Sequence, residues 1–192
     1  MKKAVGIFAL SAAIAISSNV NAEGFDGAEV TATAYCCTAP IEADRISVPF
    51  TKTFGPGIEF PSGSLQQTTG SPITGANIDI GSSTIDVTFT ENAQAASGSF
   101  NGGVLQFSGP NFQYIVGASL DPMSTFTPSQ INLSFLHDSI LLSAAGLHFS
   151  PGSRILIDVA FLPTPVPEPD TYAMLLAGLG LVGFLARRRK IS

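Results

Sequence analysis

The two cysteines of this 192-residue chain are adjacent, at Cys36 and Cys37. In an oxidising compartment two thiols tend to form a disulfide. Neighbouring Cα atoms, however, lie about 3.8 Å apart, below the usual bridge distance of about 4.4–6.8 Å. A vicinal disulfide would therefore be a rare, small ring that can stiffen a ligand-binding loop. The sequence leaves two alternatives open, which are pairing with another chain and free or buried thiols.

His137, Asp138 and His148 are the other residues with metal-binding chemistry. Two imidazoles and a carboxylate can hold Zn²⁺, but their spacing fixes no common face and no HExxH pattern is present, so turn or surface positions explain them better. The dispersed acids are Asp79, Asp86, Glu91 and Asp121. The chain has no DxDxDG loop and no GxSxG elbow. The sequence therefore predicts no catalytic residue, no metal site and no cofactor.

Composition indicates a β-rich domain. Apolar residues make up 45% and charged residues 12%, with 19 Gly and 13 Pro, and low charge with many turn formers favours short strands. Residues 23–170 contain three basic and all fourteen acidic residues, a net charge of −11. Such a surface repels phosphate backbones and anionic lipid, which argues against nucleic-acid binding.

Alternation of apolar and polar residues predicts strands with one buried face. The clearest segments are 84–90 (Ile85, Val87 and Phe89 inward), 130–136 (Ile131, Leu133 and Phe135) and 154–161 (Ile155, Ile157, Val159 and Phe161). Weaker candidates are 29–35, 46–53, 100–107, 114–120 and 140–143. Turn formers such as Gly55-Pro56-Gly57 separate them. We therefore expect one all-β domain over 23–163, a jelly-roll-like β-sandwich.

Residues 1–22 have the pattern of a cleaved signal peptide. Lys2 and Lys3 precede an apolar run at 4–16, and Val20-Asn21-Ala22 offers a cleavage site. The run, at about 13 residues, is short for a ~30 Å hydrocarbon core. We expect export through the Sec translocon, cleavage by signal peptidase, and a mature chain that begins at Glu23.

Residues 164–192 read as a proline-rich linker and an anchor segment. Four prolines between 163 and 169 hold the linker extended. No charged residue occurs from 171 to 186, which predicts a transmembrane helix of roughly 24 Å. Arg187, Arg188 and Arg189 follow as a cytoplasmic stop signal.

Val166-Pro167-Glu168-Pro169, the helix and the three arginines occur in an order that resembles the PEP-CTERM sorting domain, also labelled the ice-binding protein C-terminal domain. The resemblance implies recognition by exosortase, a membrane-embedded peptidase of Gram-negative bacteria that make exopolysaccharide. It makes Glu168 a recognition residue. It also implies an inner-membrane-anchored precursor that is then released to the cell envelope or the extracellular matrix.

Two functions remain open for the folded middle. The first is a non-enzymatic envelope or biofilm-matrix component that is sorted together with exopolysaccharide. The alternative is a secreted carbohydrate-active or metal-dependent hydrolase, with a site assembled from His137, His148 and scattered carboxylates. Ice binding would need a regular threonine ladder, and the chain's T-x-T pairs share no fixed repeat, so the second family label is not read as an activity.

Overall fold

The computed structural model of this protein describes residues 24–25, 27–68, 70–110, 112–163 and 169–189. Over these residues the chain forms twelve β-strands, one turn of 3₁₀ helix at Glu42–Asp44 and one α-helix. The strands are β1 (Glu29–Cys37), β2 (Phe50–Thr53), β3 (Ile58–Phe60), β4 (Ala76–Ile80), β5 (Thr84–Phe89), β6 (Ala93–Gln94), β7 (Phe100–Ser108), β8 (Ile115–Leu120), β9 (Asn132–Leu136), β10 (Ser139–Ser143), β11 (His148–Phe149) and β12 (Arg154–Phe161), and the helix is α1 (Pro169–Arg189).

Ten of these strands form two five-stranded antiparallel sheets. Sheet one has the order β2-β1-β7-β10-β9, sheet two has the order β3-β4-β5-β12-β8, and β6 pairs with β11. Buried side chains from both sheets join in one hydrophobic core, so the sheets pack face to face. The prediction of an all-β sandwich is confirmed. The jelly-roll detail is not confirmed, because β3, β4 and β5 follow one another within a single sheet.

The strands β5 and β12 bury alternate side chains, as the sequence predicts. Their buried residues are Ile85, Val87, Phe89, Ile155, Ile157 and Val159. Ile157 lies beside Ile85, and Ile155 lies beside Val87, so each apolar row continues across the strand pair. Burying one such side chain contributes about 1.5–3 kcal/mol. These rows form the inner wall of sheet two.

The prediction for residues 130–136 is partly wrong. Ile131 is buried, but Leu133 is only half-buried and Phe135 is 39% exposed. The reason is that β9 is an edge strand of sheet one, where a side chain is less completely covered. The short strand β4 was not predicted, since its Asn77 and Asp79 are residues depleted in strands.

An aromatic cluster fills one end of the sandwich, which we call the packed end. Phe25 stacks on Phe107 of β7 with ring centroids 4.2 Å apart, and it meets the ring of Phe161 of β12 edge-on at 4.8 Å. Phe112 extends the stack from Phe107 at 5.8 Å. Because Phe107 belongs to sheet one and Phe161 to sheet two, Phe25 joins the two sheets.

The helix α1 runs over Pro169–Arg189 and contains the predicted helical segment, about 171–186. Its described apolar side chains are exposed, among them Leu175 and Leu179. In the part of the chain that the structure describes, no helix has the length and apolarity needed to cross a membrane. The predicted signal peptide, 1–22, lies outside the described residues.

Candidate functional site

A cavity of about 780 Å³ lies between the two sheets. Its walls come from β1, β7 and β10 of sheet one and from β4, β5 and β12 of sheet two. Protein interiors are close-packed, with few voids larger than a water molecule, whereas ligand sites measure about 300–1,000 Å³. The isoleucines at its inner side, among them Ile85 and Ile155, are fully buried, so its open part lies toward the loop residues 61–65, 71–75 and 91–92. This space is the candidate binding site, and we call this half of the sandwich the hollow end.

The cavity follows from residue size along the inward rows of sheet one. From the packed end to the hollow end, the paired residues of β1 and β7 are Val30 and Phe107, then Ala32 and Leu105, then Ala34 and Gly103. Facing sheets are separated by about 10 Å. Ala34 and Gly103 lie side by side on the inner face of sheet one, so this pair fills less of the layer than Val30 and Phe107 do.

The two adjacent glycines of β7 have different reasons to be glycine. A Cβ at Gly102 would collide with the carbonyl of Leu142 on β10, so close strand approach excludes a side chain there. A Cβ at Gly103 would meet only the Thr33 carbonyl oxygen, at an ordinary 3.6 Å. Gly103 lines the cavity, and no atom near it excludes a Cβ.

The polar groups of the cavity are uncharged, with one exception. Glu91 is the sole charged residue in the described lining, and its Oε1 accepts a hydrogen bond of 2.5 Å from the Gly75 amide. The Asn101 side-chain amide donates to the Ala96 carbonyl at 3.0 Å. Ser64 Oγ, in contrast, is buried and has no hydrogen-bond partner among the described residues. Among the described lining residues there is therefore one buried hydroxyl without a hydrogen-bond partner, and there is no Lys or Arg.

Cys36 and Cys37 lie at the end of β1 and line the same cavity. They are joined by a disulfide bond, and the peptide bond between them is cis. The loop before β7 packs closely on this pair, because a Cβ at Gly98 would collide with the Cys37 carbonyl. The disulfide therefore forms part of the cavity rim.

The structure does not bring the two histidines together. His137 lies in the turn that precedes β10, and its ring centroid is 5.7 Å from that of Tyr114. His148 lies in β11, beside Gln94. The five residues of β10, about 17 Å of strand, come between them. Among the described residues, no three His, Cys, Asp or Glu side chains are grouped to hold a metal ion.

Three of the four scattered carboxylates, those of Asp86, Glu91 and Asp121, have hydrogen-bond partners. Asp86 of β5 accepts from the Arg154 guanidinium of β12, with the nearest nitrogen at 2.6 Å from Oδ2. That hydrogen bond, assisted by the charges of Asp86 and Asp121 and opposed by desolvation, raises the pKa of Arg154 above its ordinary value. Asp79 lies beside Asp86 on the neighbouring strand. This arrangement holds β5 and β12 together on the outer face of sheet two.

Comparison with known families assigns the tail. Residues 165–190 match the family model of the PEP-CTERM protein-sorting motif. The tail is a PEP-CTERM sorting signal. No curated protein and no solved structure matches the chain, and the family match does not extend to the sandwich.

The PEP-CTERM motif marks secreted or envelope proteins that exosortase, a membrane protein, recognises. Of the predicted motif residues, Val166, Pro167 and Glu168 lie outside the described part of the chain, and Pro169 begins α1. Arg187 lies in the last turn of α1 and is exposed. Basic residues are favourable at a helix C-terminus, where the helix dipole is negative.

Outside the PEP-CTERM tail, sequence reasoning missed the buried acid Glu59. It lies where the β3–β4 register shifts, between Ile58 and Phe60, and only 6% of it is exposed. Its carboxylate accepts hydrogen bonds from the Ile80 amide at 2.8 Å and the Gly55 amide at 3.2 Å. No pattern marks such a bulge, whereas the cavity could have been suspected from Ala32, Ala34 and Gly103 on predicted strands.

Proposed function

We propose that this protein is the exported precursor of a non-catalytic component of the cell envelope or exopolysaccharide matrix, sorted through its PEP-CTERM tail. The match over residues 165–190 carries this proposal. The charge of −11 over residues 23–170 supports a role in a solvated, extracellular setting, since like charge keeps exported copies apart. The β-sandwich is the part that persists after sorting.

In this proposal α1 anchors the precursor transiently in the inner membrane. Residues 171–186 carry no charge, and the arginines at 187–189 remain on the cytoplasmic side under the positive-inside rule. Sixteen helical residues extend about 24 Å, so snorkelling of the flanking arginines would bridge the remaining thickness. Exosortase then cuts near Pro167-Glu168-Pro169 and releases the sandwich.

Replacing Pro167, Glu168 and Pro169 with alanine tests the sorting step. In a host that contains exosortase, the wild-type chain should shift to a shorter form that fractionates with the outer envelope or with extracted exopolysaccharide. The triple variant should stay full-length in the inner-membrane fraction. Immunoblots of the fractions report both size and location.

The matched control is Pro163→Ala, which removes a linker proline outside the matched residues. It should be processed as the wild type is. Normal processing and normal location of the triple variant would contradict the proposal. The same change in a host that lacks exosortase should have no effect on either readout.

A further inference from the structure

We propose that the packed end of the sandwich carries a membrane-contact surface, which rests on the outer leaflet of the inner membrane while α1 anchors the precursor. This inference rests on the anchoring role proposed above for α1. The surface, which we call the edge patch, consists of Tyr114, Val116, Leu136, His137 and Leu162, all of them exposed. Its three largest apolar exposures are those of Tyr114, Leu136 and Leu162, at 60%, 61% and 53%.

The edge patch is assembled from separate parts of the chain at the packed end. The Leu162 amide donates a hydrogen bond to the Tyr114 carbonyl at 2.8 Å. The ring of Tyr114 lies beside that of His137, with the two centroids 5.7 Å apart. The next residue, Asp138, accepts a hydrogen bond at its carbonyl from the Phe107 amide at 2.7 Å. Because Phe107 belongs to the aromatic cluster, these contacts place the patch on the packed end.

Both segments that we predict to enter the membrane are joined to this end. Phe25, which follows the predicted cleavage position at Ala22 by three residues, packs edge-on against Phe161. Leu162 comes next in the chain, and seven residue steps separate it from Pro169, where α1 begins. A fully extended chain spans at most about 3.6 Å per residue, so the patch lies within about 25 Å of the anchor.

The chemistry of the edge patch fits the head-group region of a bilayer. Its five side chains include no Asp, Glu, Lys or Arg, and the neighbouring Asp138 is half-buried and accepts from the Ser139 hydroxyl at 3.2 Å. Tyrosine favours the membrane interface, because its ring is apolar while its hydroxyl can stay in water. The net charge of −11 over residues 23–170 repels anionic lipid from the rest of the surface. The patch is therefore the face that approaches a bilayer at the lowest electrostatic cost.

Single-tryptophan fluorescence tests the contact, since the chain contains no Trp. Full-length Tyr114→Trp, reconstituted into phosphatidylcholine vesicles, should be quenched by lipids brominated on the upper acyl chain. The matched control is Ile41→Trp, an exposed position that follows Cys37, the last residue of β1 at the hollow end. We expect at least twofold stronger quenching in Tyr114→Trp than in Ile41→Trp.

A charge placed in the edge patch should remove this difference. Leu162→Asp, added to Tyr114→Trp, should lower the quenching to the level of Ile41→Trp, while the chain still floats with the vesicles because α1 is unchanged. The control is Ile58→Asp, an exposed residue of β3, the opposite edge strand of sheet two, which should leave the quenching unaltered. Val116→Asp replaces Leu162→Asp if that variant does not fold.

The outcomes separate this inference from the proposed anchor. Flotation with the vesicles but equal quenching of Tyr114→Trp and Ile41→Trp would overturn the membrane contact alone. A wild-type chain that does not float with the vesicles would overturn the anchor as well. Quenching of Tyr114→Trp that falls as the protein-to-lipid ratio rises would show that a second copy covers the patch, and would also overturn the proposal.

Discussion

The two ends of the sandwich are built from the same sheets but fill the layer between them differently. At the packed end, Phe25 stacks on Phe107 at 4.2 Å and meets Phe161 at 4.8 Å. At the hollow end the corresponding pair is Ala34 and Gly103, and a cavity of about 780 Å³ remains. The alternating pattern decides which face is buried, but side-chain size along the row decides whether the layer is filled.

Two buried polar groups, the Glu59 carboxylate and the Ser64 hydroxyl, also differ in their hydrogen bonding. The carboxylate of Glu59 accepts hydrogen bonds from the backbone amides of Gly55 and Ile80, one at each oxygen. Ser64 Oγ is buried beside the hollow end and has no partner among the described residues. A buried group without a partner costs stability, so the Ser64 hydroxyl is a local cost that the Glu59 carboxylate avoids.

Phe107→Ala should break the packed end and give the largest effect. We expect a loss of about 3–5 kcal/mol in the free energy of unfolding, as for other buried Phe→Ala changes. Leu105→Ala, two residues along the same strand, should cost only about 2 kcal/mol, because the cavity already removes part of its surroundings. Guanidinium denaturation of both full-length variants measures the difference.

Equal losses for the two variants would contradict the contrast between the ends.

Glu59→Ala should have the second largest effect. It leaves the buried amide of Ile80 unpaired, at about 1–3 kcal/mol, and the half-buried amide of Gly55 at a smaller cost. We therefore expect a total loss of about 2–4 kcal/mol. Glu59→Gln retains one carbonyl acceptor and should lose about half as much. Ser64→Ala should change the free energy of unfolding by no more than about 0.5 kcal/mol, since it breaks no hydrogen bond. A large loss at Ser64 would show that its hydroxyl is satisfied.

Much of the fold could be predicted from the sequence, because inward and outward residues alternate on strands that are covered on one face. This is why β5 and β12 were found with their buried residues. The approach was wrong at β9, since alternation cannot say whether a strand lies at a sheet edge. It missed β4, where Asn77 and Asp79 hide the pattern. The order of strands depends on contacts distant in sequence, and local patterns do not contain it.

The tail and the cavity differ in how far the sequence alone predicts them. The tail motif is a continuous run of residues, so the sequence alone identified it and the family match confirms it. The cavity needs β1, β7 and β10 opposite β4, β5 and β12, a juxtaposition that no single segment encodes. Small residues such as Ala34 and Gly103 were visible in the sequence, but their meaning depends on being register partners.

The smallest expected effect concerns Asp44, in the 3₁₀ turn that follows β1 and the disulfide. The Thr38 hydroxyl and, to a lesser degree, the Ala39 amide donate to Asp44 and hold the pKa of that carboxyl below its ordinary value of 3.8. A lowered folded-state pKa means that these bonds add stability above the unfolded-state pKa, about 3.9 for Asp. That stability is lost as the pH falls through the folded-state value.

Between pH 6 and pH 2, the NMR shift of the Ala39 amide proton should therefore stay constant to below pH 4 and then move as Asp44 is protonated. In Asp44→Asn the same proton should show no such titration, because an amide oxygen still accepts the bond but has no charge to lose. A midpoint at or above the ordinary 3.8 of a free aspartate would show that the hydrogen bonds from Thr38 and Ala39 to Asp44 are not formed. The packed end should not respond to pH in this range, because Phe25 and Phe107 are held there by burial and stacking and carry no titratable group.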